Sequence, residues 1–156
     1  MGLIPFQPAR KAGNGFEVQQ MDPTSALTIY YGAPVQRNSG TPSQIEEAAG
    51  TSTVTGILGV TMGGSTSGAP GYGTTLPIAR ASTTVEFIGQ VYDVSGAVVQ
   101  TAAVATHEGK EFGMIKSGNY WYVDEEDTTD VVLRVTKVLT DINAVLFKFI
   151  DTAIED

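Results

Sequence analysis

The chain has no cysteine, a single histidine, a single tryptophan and only nine basic residues among its 156. The absence of cysteine excludes disulfides, thiolate metal sites and cysteine nucleophiles together. No apolar run approaches the about 20 residues of a membrane-spanning helix, and no charged leader ahead of an apolar core opens the sequence. We therefore expect neither a membrane protein nor a secretory precursor.

The few basic residues are also too scattered to form a nucleic-acid interface. The net charge is −8. Residues 1–80 carry four bases and four acids, whereas residues 81–156 carry five bases and thirteen acids, which supplies the whole excess. Binding to phosphates requires a concentrated basic face that can replace counterions. We expect no direct contact with nucleic acid.

What the sequence does contain is a series of short β patterns. Alternating residues in "SALTIYYGAPVQR" predict a strand, a turn at Gly32 and a short second strand; "TVTGILGVTM" predicts another strand, in which Gly56 and Gly59 indicate a bulge or close backbone packing. "STTVEFIGQVYD" and "YWYVD" are further strands, and "DVVLRVTKVL" and "NAVLFKFI" form a C-terminal antiparallel pair joined near "TDIN". Only "AVVQTAAVATHEG" could form a short helix, ended by Gly109. The fold class is all-β with at most one short helix, an antiparallel β-barrel or β-sandwich-like domain.

Residues 1–24 are interpreted as an extended N-terminal arm, because three prolines each remove a backbone hydrogen-bond donor. The arm is too apolar for an idle terminus, which favours ordering against a neighbouring molecule over fraying. Residues 25–156 are expected to form a single β-rich domain with a glycine-rich loop at residues 63–75.

The most site-like stretch is "NYWYVDEEDTTD", residues 119–130, which places three aromatic residues directly before five carboxylates. A calcium loop of the EF-hand type needs acids at alternate positions and a glycine at the sixth, whereas these acids are largely consecutive. Consecutive side chains of an extended chain point to opposite sides, so they do not converge on one cation. We interpret the stretch as a half-buried strand that runs into a solvated acidic turn; a weak divalent-cation site at residues 124–130 stays open as the alternative.

Signatures of catalysis are missing around the one histidine. We expect His107 to be a lone surface residue at the end of the short helix. "GSTSG", residues 64–68, has threonine where a nucleophile elbow has serine, and the glycine-rich loop lacks the Gly-Lys-Ser/Thr ending of a phosphate loop. We predict no catalytic, cofactor-binding or metal-binding residue, and hence no enzyme. A hydrolase centred on His107 or on the acids is the enzymatic alternative.

Three segments stand in an informative order along the chain: "IYYGAPV" at residues 29–35, "ILGV" at residues 57–60 and "VEFIGQVYD" at residues 85–93, followed by the C-terminal strand pair. With the proline-containing arm ahead of them, they resemble the small head proteins of tailed bacteriophages, of the decoration or cement type. The resemblance covers roughly residues 26–150. Where such proteins often have an acid after the hairpin glycine, this chain has Ala33, a turn position at which the change costs little.

The resemblance implies a virion structural protein that binds the outer surface of the assembled phage head. Such proteins bridge major capsid protein subunits, often as homotrimers, and stabilise the shell; the resemblance implies no cofactor. On this interpretation the arm lies on the capsid while the acidic second half faces solvent. The expected capsid-contact residues are Leu3, Ile4, Phe6, Arg10, Lys11 and Phe16.

Two other functions remain alternatives at this stage. The same β-domain could serve as another virion component, a tail or head–tail connector protein. A carbohydrate-binding β-module would use Tyr120, Trp121 and Tyr122 as a stacking platform. Three consecutive aromatic residues in a strand cannot share one face, which weakens the second alternative.

Overall fold

The computed structural model describes residues 2–9, 16–23, 29–48, 55–63 and 75–155. The strands, in chain order, are β1 (Gln7–Pro8), β2 (Val18–Pro23), β3 (Pro34–Arg37), β4 (Gln44–Glu47), β5 (Ile57–Thr61), β6 (Leu76–Arg80), β7 (Phe87–Gly89), β8 (Val91–Asp93), β9 (Val98–Gln100), β10 (Glu111–Ser117), β11 (Tyr120–Asp124), β12 (Leu133–Leu139) and β13 (Ala144–Phe149). One α-helical turn, α1 (Val104–His107), and two 3₁₀ turns, Thr140–Ile142 and Asp151–Ala153, complete the described elements. The prediction of an all-β fold with one short helix is confirmed. No helix within these ranges is long and apolar enough to cross a bilayer.

The strands form two β-modules. Strands β2, β4, β3, β5 and β6 close into a five-stranded barrel, in which β6 pairs back onto β2. The other eight form an open sheet in the order β1-β7-β13-β12-β10-β11-β8-β9. The predicted C-terminal pair is present as β12 and β13, which are antiparallel. A barrel therefore accounts for one half of the fold and an open sheet for the other.

Two strand pairs are parallel, which the expectation of an antiparallel fold did not include. They are β2 with β4 and β8 with β11. A parallel pair cannot be joined by a tight hairpin, so the chain must travel away and return between its two strands. Between β8 and β11 it does so through β9, α1 and β10.

The glycine pattern in β5 has the two consequences expected of it. A Cβ atom on Gly59 would lie 2.1 Å from the carbonyl oxygen of Ala79 in β6, so only glycine permits this approach. The register against β3 also shifts here, because Val35 pairs with Gly59 while the next residue pairs with Ile57, leaving Leu58 as the bulged residue. Around Gly56, by contrast, the space is open.

Several element boundaries differ from the sequence-based expectation. The predicted strand over residues 82–93 is split into β7 and β8, and the predicted helix shortens to α1 because residues 98–100 form β9 instead. The expected hairpin at residues 29–35 has its turn at Tyr31 and Gly32, but β3 pairs with β4 and β5 rather than with the segment before the turn. Most of the predicted glycine-rich loop, residues 64–74, lies outside the described residues.

The N-terminal segment is part of the fold, not an arm that leaves it. β1 pairs with β7, and β2 is a wall of the barrel. Phe6 is fully buried, with its ring centroid 4.7 Å from that of Phe147. It occupies the space left by two glycines, because a Cβ atom on Gly32 would lie 2.6 Å from the Phe6 carbonyl oxygen and one on Gly89 2.5 Å from its ring. The interpretation of residues 1–24 as an arm separate from the domain is therefore wrong for the residues that the structure describes.

The barrel and the sheet share one hydrophobic core and several polar links. Glu47 of β4 accepts hydrogen bonds from the indole Nε1 of Trp121 and from Nζ of Lys116, both at 2.8 Å. Near the end of the chain, the guanidinium Nε of Arg37 lies 2.8 and 3.0 Å from the two carboxylate oxygens of Glu155. These contacts fix one module against the other, so the molecule presents its surfaces in a defined arrangement.

Candidate interaction surface

The residues predicted to contact a capsid do not form one surface. Phe6 is a core residue, and Phe16 is half-buried and packs against the core. Arg10 and Lys11 lie outside the described residues. The prediction is thus wrong for Phe6, whose ring is inaccessible to any partner. The physical reason is that burial in the core of its own chain removes the apolar surface of the Phe6 ring from water without any partner.

Leu3 and Ile4 are held beside the far edge of the sheet by a buried amide. Gln90, which is 3% exposed, accepts a hydrogen bond from the Ile4 N–H at 3.0 Å and donates one to the Gly2 carbonyl at 3.3 Å. Ile4 is half-buried as a result, whereas Leu3 stays 43% exposed. Of the predicted apolar contact residues in the described ranges, Leu3 alone has an exposed side chain.

His107 is buried, which corrects the expectation of a surface histidine. Its side chain is 1% exposed; its Nδ1 lies 2.9 Å from the Ala103 nitrogen and 3.1 Å from the Ala103 carbonyl oxygen, and its Nε2 lies 2.8 Å from Oε2 of Glu125. Both ring nitrogens are therefore engaged in contacts within the fold. The pair joins α1 to the acidic turn, which is a structural task.

The acidic turn is more ordered than a solvated loop. Asp124 is only 8% exposed, and burial, together with the nearby charges of Asp127 and Glu126, raises its pKa, although N–H donors of the turn partly oppose the shift. Asp127 Oδ1 accepts the backbone N–H groups of Thr129 at 3.1 Å and Asp130 at 2.8 Å. Within the described ranges no group of three or more histidine or acidic side chains could hold a metal ion. The carboxylates are directed to backbone donors, as in an Asx turn.

The aromatic residues before the turn do not form an accessible platform. Trp121 is 3% exposed and its indole is bonded to Glu47, while Tyr122 is buried with its ring 5.0 Å from that of Tyr92. Burial, followed by the neighbouring tyrosines, raises the pKa of Tyr122. Tyr120 is half-buried, 6.2 Å from the ring of Tyr30. A sugar ring requires an exposed aromatic face, and neither Trp121 nor Tyr122 offers one.

A cleft of about 430 Å³ lies over the end of the β12–β13 hairpin that is opposite the Thr140–Ile142 turn. Its polar lining includes Arg134 and Lys148, which are opposite each other across the two strands, and the acids Glu111 and Asp151. Arg134 is already paired with Glu111 at 2.5 Å. The cleft carries two charges of each sign and therefore no net preference for an anion or a cation.

The exposed apolar side chains are concentrated along one edge of the large sheet. Among the described residues, seven large hydrophobic side chains are exposed, and three of them, Val94, Val98 and Val99, belong to the β8–β9 hairpin. The Asn143 side chain accepts the Ala102 N–H at 2.8 Å and donates to the Gln100 carbonyl at 3.3 Å, which brings its neighbour Ile142 to this edge. Leu3, Val99 and Asn143 also line a common cavity of about 360 Å³. We call this surface the valine edge; it consists of Leu3, Val94, Val98, Val99 and Ile142.

Sequence reasoning missed the valine edge because residues 97–109 were assigned to a helix. In a helix these valines would have been scattered around its axis. The pattern "VYDVSGAVVQ" contains the missed signal, two short β-branched runs around a Ser-Gly turn, which is typical of a hairpin. Exposed apolar side chains that cluster at one edge mark an interaction site more often than scattered ones do.

Comparisons with known proteins gave no similarity to report: no family model, no curated protein and no solved structure matches the chain.

Proposed function

We propose that this chain is a capsid decoration protein, a non-enzymatic virion component that binds the outer surface of an assembled phage head and bridges its major capsid protein subunits. The observation that carries the proposal is the valine edge, an apolar surface on a rigid β-fold. The sequence resemblance over residues 26–150 supports the same function. His107 and the acidic turn, the two candidates for chemistry, are both engaged in structural contacts.

A decoration protein needs to recognise the assembled lattice and not the free coat subunit. A ligand that binds only the assembled form stabilises that form by mass action. Specific interfaces bury about 1,200–2,000 Å² in total and have an apolar centre with a polar rim. The valine edge offers such a centre, and carboxylates such as Glu126 and Asp141 lie close to it in the chain or in space. Homotrimers on the capsid surface, implied by the resemblance, would present three of these edges together and gain avidity.

The proposal is tested by mixing purified protein with phage heads that lack their decoration protein, then measuring bound protein by sedimentation and head stability by heat-induced DNA release. Val98→Asp should abolish binding, because a charge would be buried at the centre of the interface. Val18→Asp is the matched control, since Val18 is equally exposed, at 46% against 50% for Val98, but belongs to the barrel. Binding that is lost in both variants, or that is absent in the wild-type protein, would contradict the proposal.

Imaging of the same particles distinguishes the decoration role from the tail or connector alternative. Density distributed over the whole shell is expected of a decoration protein. Density confined to one vertex or to the tail would assign the chain to a different virion position. The fold and the valine edge would serve either position, so the location has to be observed directly.

A further inference from the structure

The valine edge contains the open end of the eight-stranded sheet. β9 is the last strand in the sheet order and pairs with β8 alone among the described strands. In that antiparallel pair Val99 is opposite Tyr92. The Tyr92 carbonyl accepts the Glu125 N–H at 3.4 Å, on the β11 side, so the backbone groups of Tyr92 face β11. It follows from strand alternation that the N–H and C=O of Val99 face away from β8, toward solvent.

Both faces of this edge strand retain exposed apolar surface. Val98 and Val99 point to opposite faces of the hairpin, yet they are 50% and 38% exposed. An apolar edge strand with open backbone groups invites pairing with another chain, and proteins usually protect such edges with charged side chains or proline. Residues 94–99 contain neither.

Carboxylates surround the same edge. Asp93 accepts the Gly96 N–H at 3.0 Å, and the Glu126 carboxylate binds the backbone N–H and the hydroxyl of Ser95, so both acids lie at the hairpin tip. The hairpin itself, residues 91–101, has no lysine or arginine. The basic residue nearest to the hairpin in sequence is Lys110, whose Nζ donates a hydrogen bond to the Ala105 carbonyl of α1 at 3.3 Å. Asp93 and Glu126 therefore place negative charge at the hairpin tip.

We propose that the valine edge binds an extended peptide segment of a partner protein, with alternating apolar side chains and flanking lysine or arginine, which adds to β9 as a ninth strand. Backbone bonds to Val99 would give the segment its register, the exposed valines would contact its apolar side chains, and Asp93 and Glu126 would select basic flanks. A second copy of this chain is disfavoured as the occupant, because it would bring an equally acidic edge against the first. The assignment of the segment to a capsid protein rests on the proposed function. The proposal that the edge binds a segment of this chemistry does not depend on that function.

The test uses synthetic, end-blocked peptides, so that binding to the edge is measured without any capsid protein. The probe is Lys-Val-Thr-Val-Lys-Val-Thr-Val-Lys, and its counterpart carries glutamate in place of lysine. Binding to the full chain is followed by fluorescence anisotropy and by changes in backbone amide NMR signals. We expect the lysine peptide to bind and to shift the signals of residues 98–100, and the glutamate peptide to bind at least about tenfold more weakly.

Val99→Pro isolates the backbone contribution. Because the Val99 N–H faces solvent, proline should leave the β8–β9 bonds intact while removing one donor to the added strand. We expect the lysine peptide to bind about threefold to tenfold more weakly, the effect of one ordinary hydrogen bond. Val99→Thr, which keeps the N–H and the β-branched shape, is the matched control and should lose less.

The outcomes separate the two proposals. Failure of the lysine peptide to bind, binding without shifts at residues 98–100, or equal binding of both peptides would overturn the edge proposal. If Val99→Pro disturbs the hairpin, the shift pattern of the wild-type protein still decides. Self-association that Val99→Pro abolishes would identify a second copy as the occupant and also overturn it. If Val99→Pro leaves capsid binding unaffected, the decoration role stands but capsid binding does not use edge pairing. If the peptide binds but capsids do not, the edge proposal stands and the decoration role is contradicted.

Discussion

Replacing Phe6 by alanine should destabilise the protein by about 3–5 kcal/mol, the usual effect of removing a phenylalanine ring from a core. The ring is fully buried, lies 4.7 Å from the ring of Phe147 and packs against Gly89. Leu3→Ala is the control, since Leu3 is 43% exposed in the same segment and should cost no more than about 0.5 kcal/mol. An N-terminal arm that left the domain would give two small and similar effects.

Gly89→Ala adds a second perturbation that tests the same packing. Its Cβ atom would lie 2.5 and 2.6 Å from two ring atoms of Phe6 and 3.2 Å from Phe147. The substitution should therefore be destabilising by about 1–3 kcal/mol in the wild-type protein, as overpacking usually is. In the Phe6→Ala background the ring is gone, so most of this cost should vanish. The resulting coupling energy between the two positions is expected to be about 1–3 kcal/mol.

Urea unfolding monitored by tryptophan fluorescence measures the wild type, the three single variants and the Phe6→Ala/Gly89→Ala double variant. With a slope of about 2 kcal/mol/M, Phe6→Ala should lower the midpoint by about 2 M. A loss below about 1 kcal/mol for Phe6→Ala, or additive effects of Phe6→Ala and Gly89→Ala, would refute the placement of the N-terminal segment in the core. By the same reasoning, a deletion of residues 1–20 should unfold the domain and is unsuitable as a test of capsid binding.

Two further predictions concern the barrel and the acidic turn. Gly59→Ala should destabilise the fold by about 1–3 kcal/mol or more, because its Cβ atom would lie 2.1 Å from the Ala79 carbonyl oxygen, while Gly56→Ala should be near neutral in the same urea assay; equal effects of the two would contradict the described strand approach. Folding raises the pKa of Asp124. In the pH range just above about 4, the folded protein therefore keeps a proton on this carboxyl group that the unfolded chain has released. The contribution of Asp124 to the free energy of unfolding consequently decreases as pH rises through that range. Asp124→Asn should therefore gain stability relative to wild type between pH 4 and neutrality; a difference between the two proteins that is constant with pH would show that Asp124 is not perturbed by folding.

Local patterns were sufficient to predict the fold class and seven of the thirteen described strands, namely β3, β5, β7, β8, β11, β12 and β13. The alternation in "DVVLRVTKVL" and "NAVLFKFI" predicted β12 and β13, and the glycines of "GILGV" predicted the close approach at Gly59, because period-two patterning and glycine placement express themselves within a few residues. The length of the chain likewise predicted one domain. These features depend on neighbours in sequence, which is where sequence reasoning is strongest.

The destinations of particular side chains were decided by tertiary structure. Nothing near Phe6 in the sequence indicates that Gly89, 83 residues further on, leaves a place for its ring, or that Gly32, 26 residues further on, allows the close approach of its backbone. Glu125 was grouped with a solvated turn and His107 with the surface, yet the buried His107 is bonded to the half-buried Glu125. The valine edge arises because β9 is last in the sheet, and strand order depends on the long-range parallel pairing of β8 with β11. The sequence shows which side chains are apolar. Which of them remain exposed depends on the pairing of strands that are distant in sequence, and that pairing is determined by the tertiary structure.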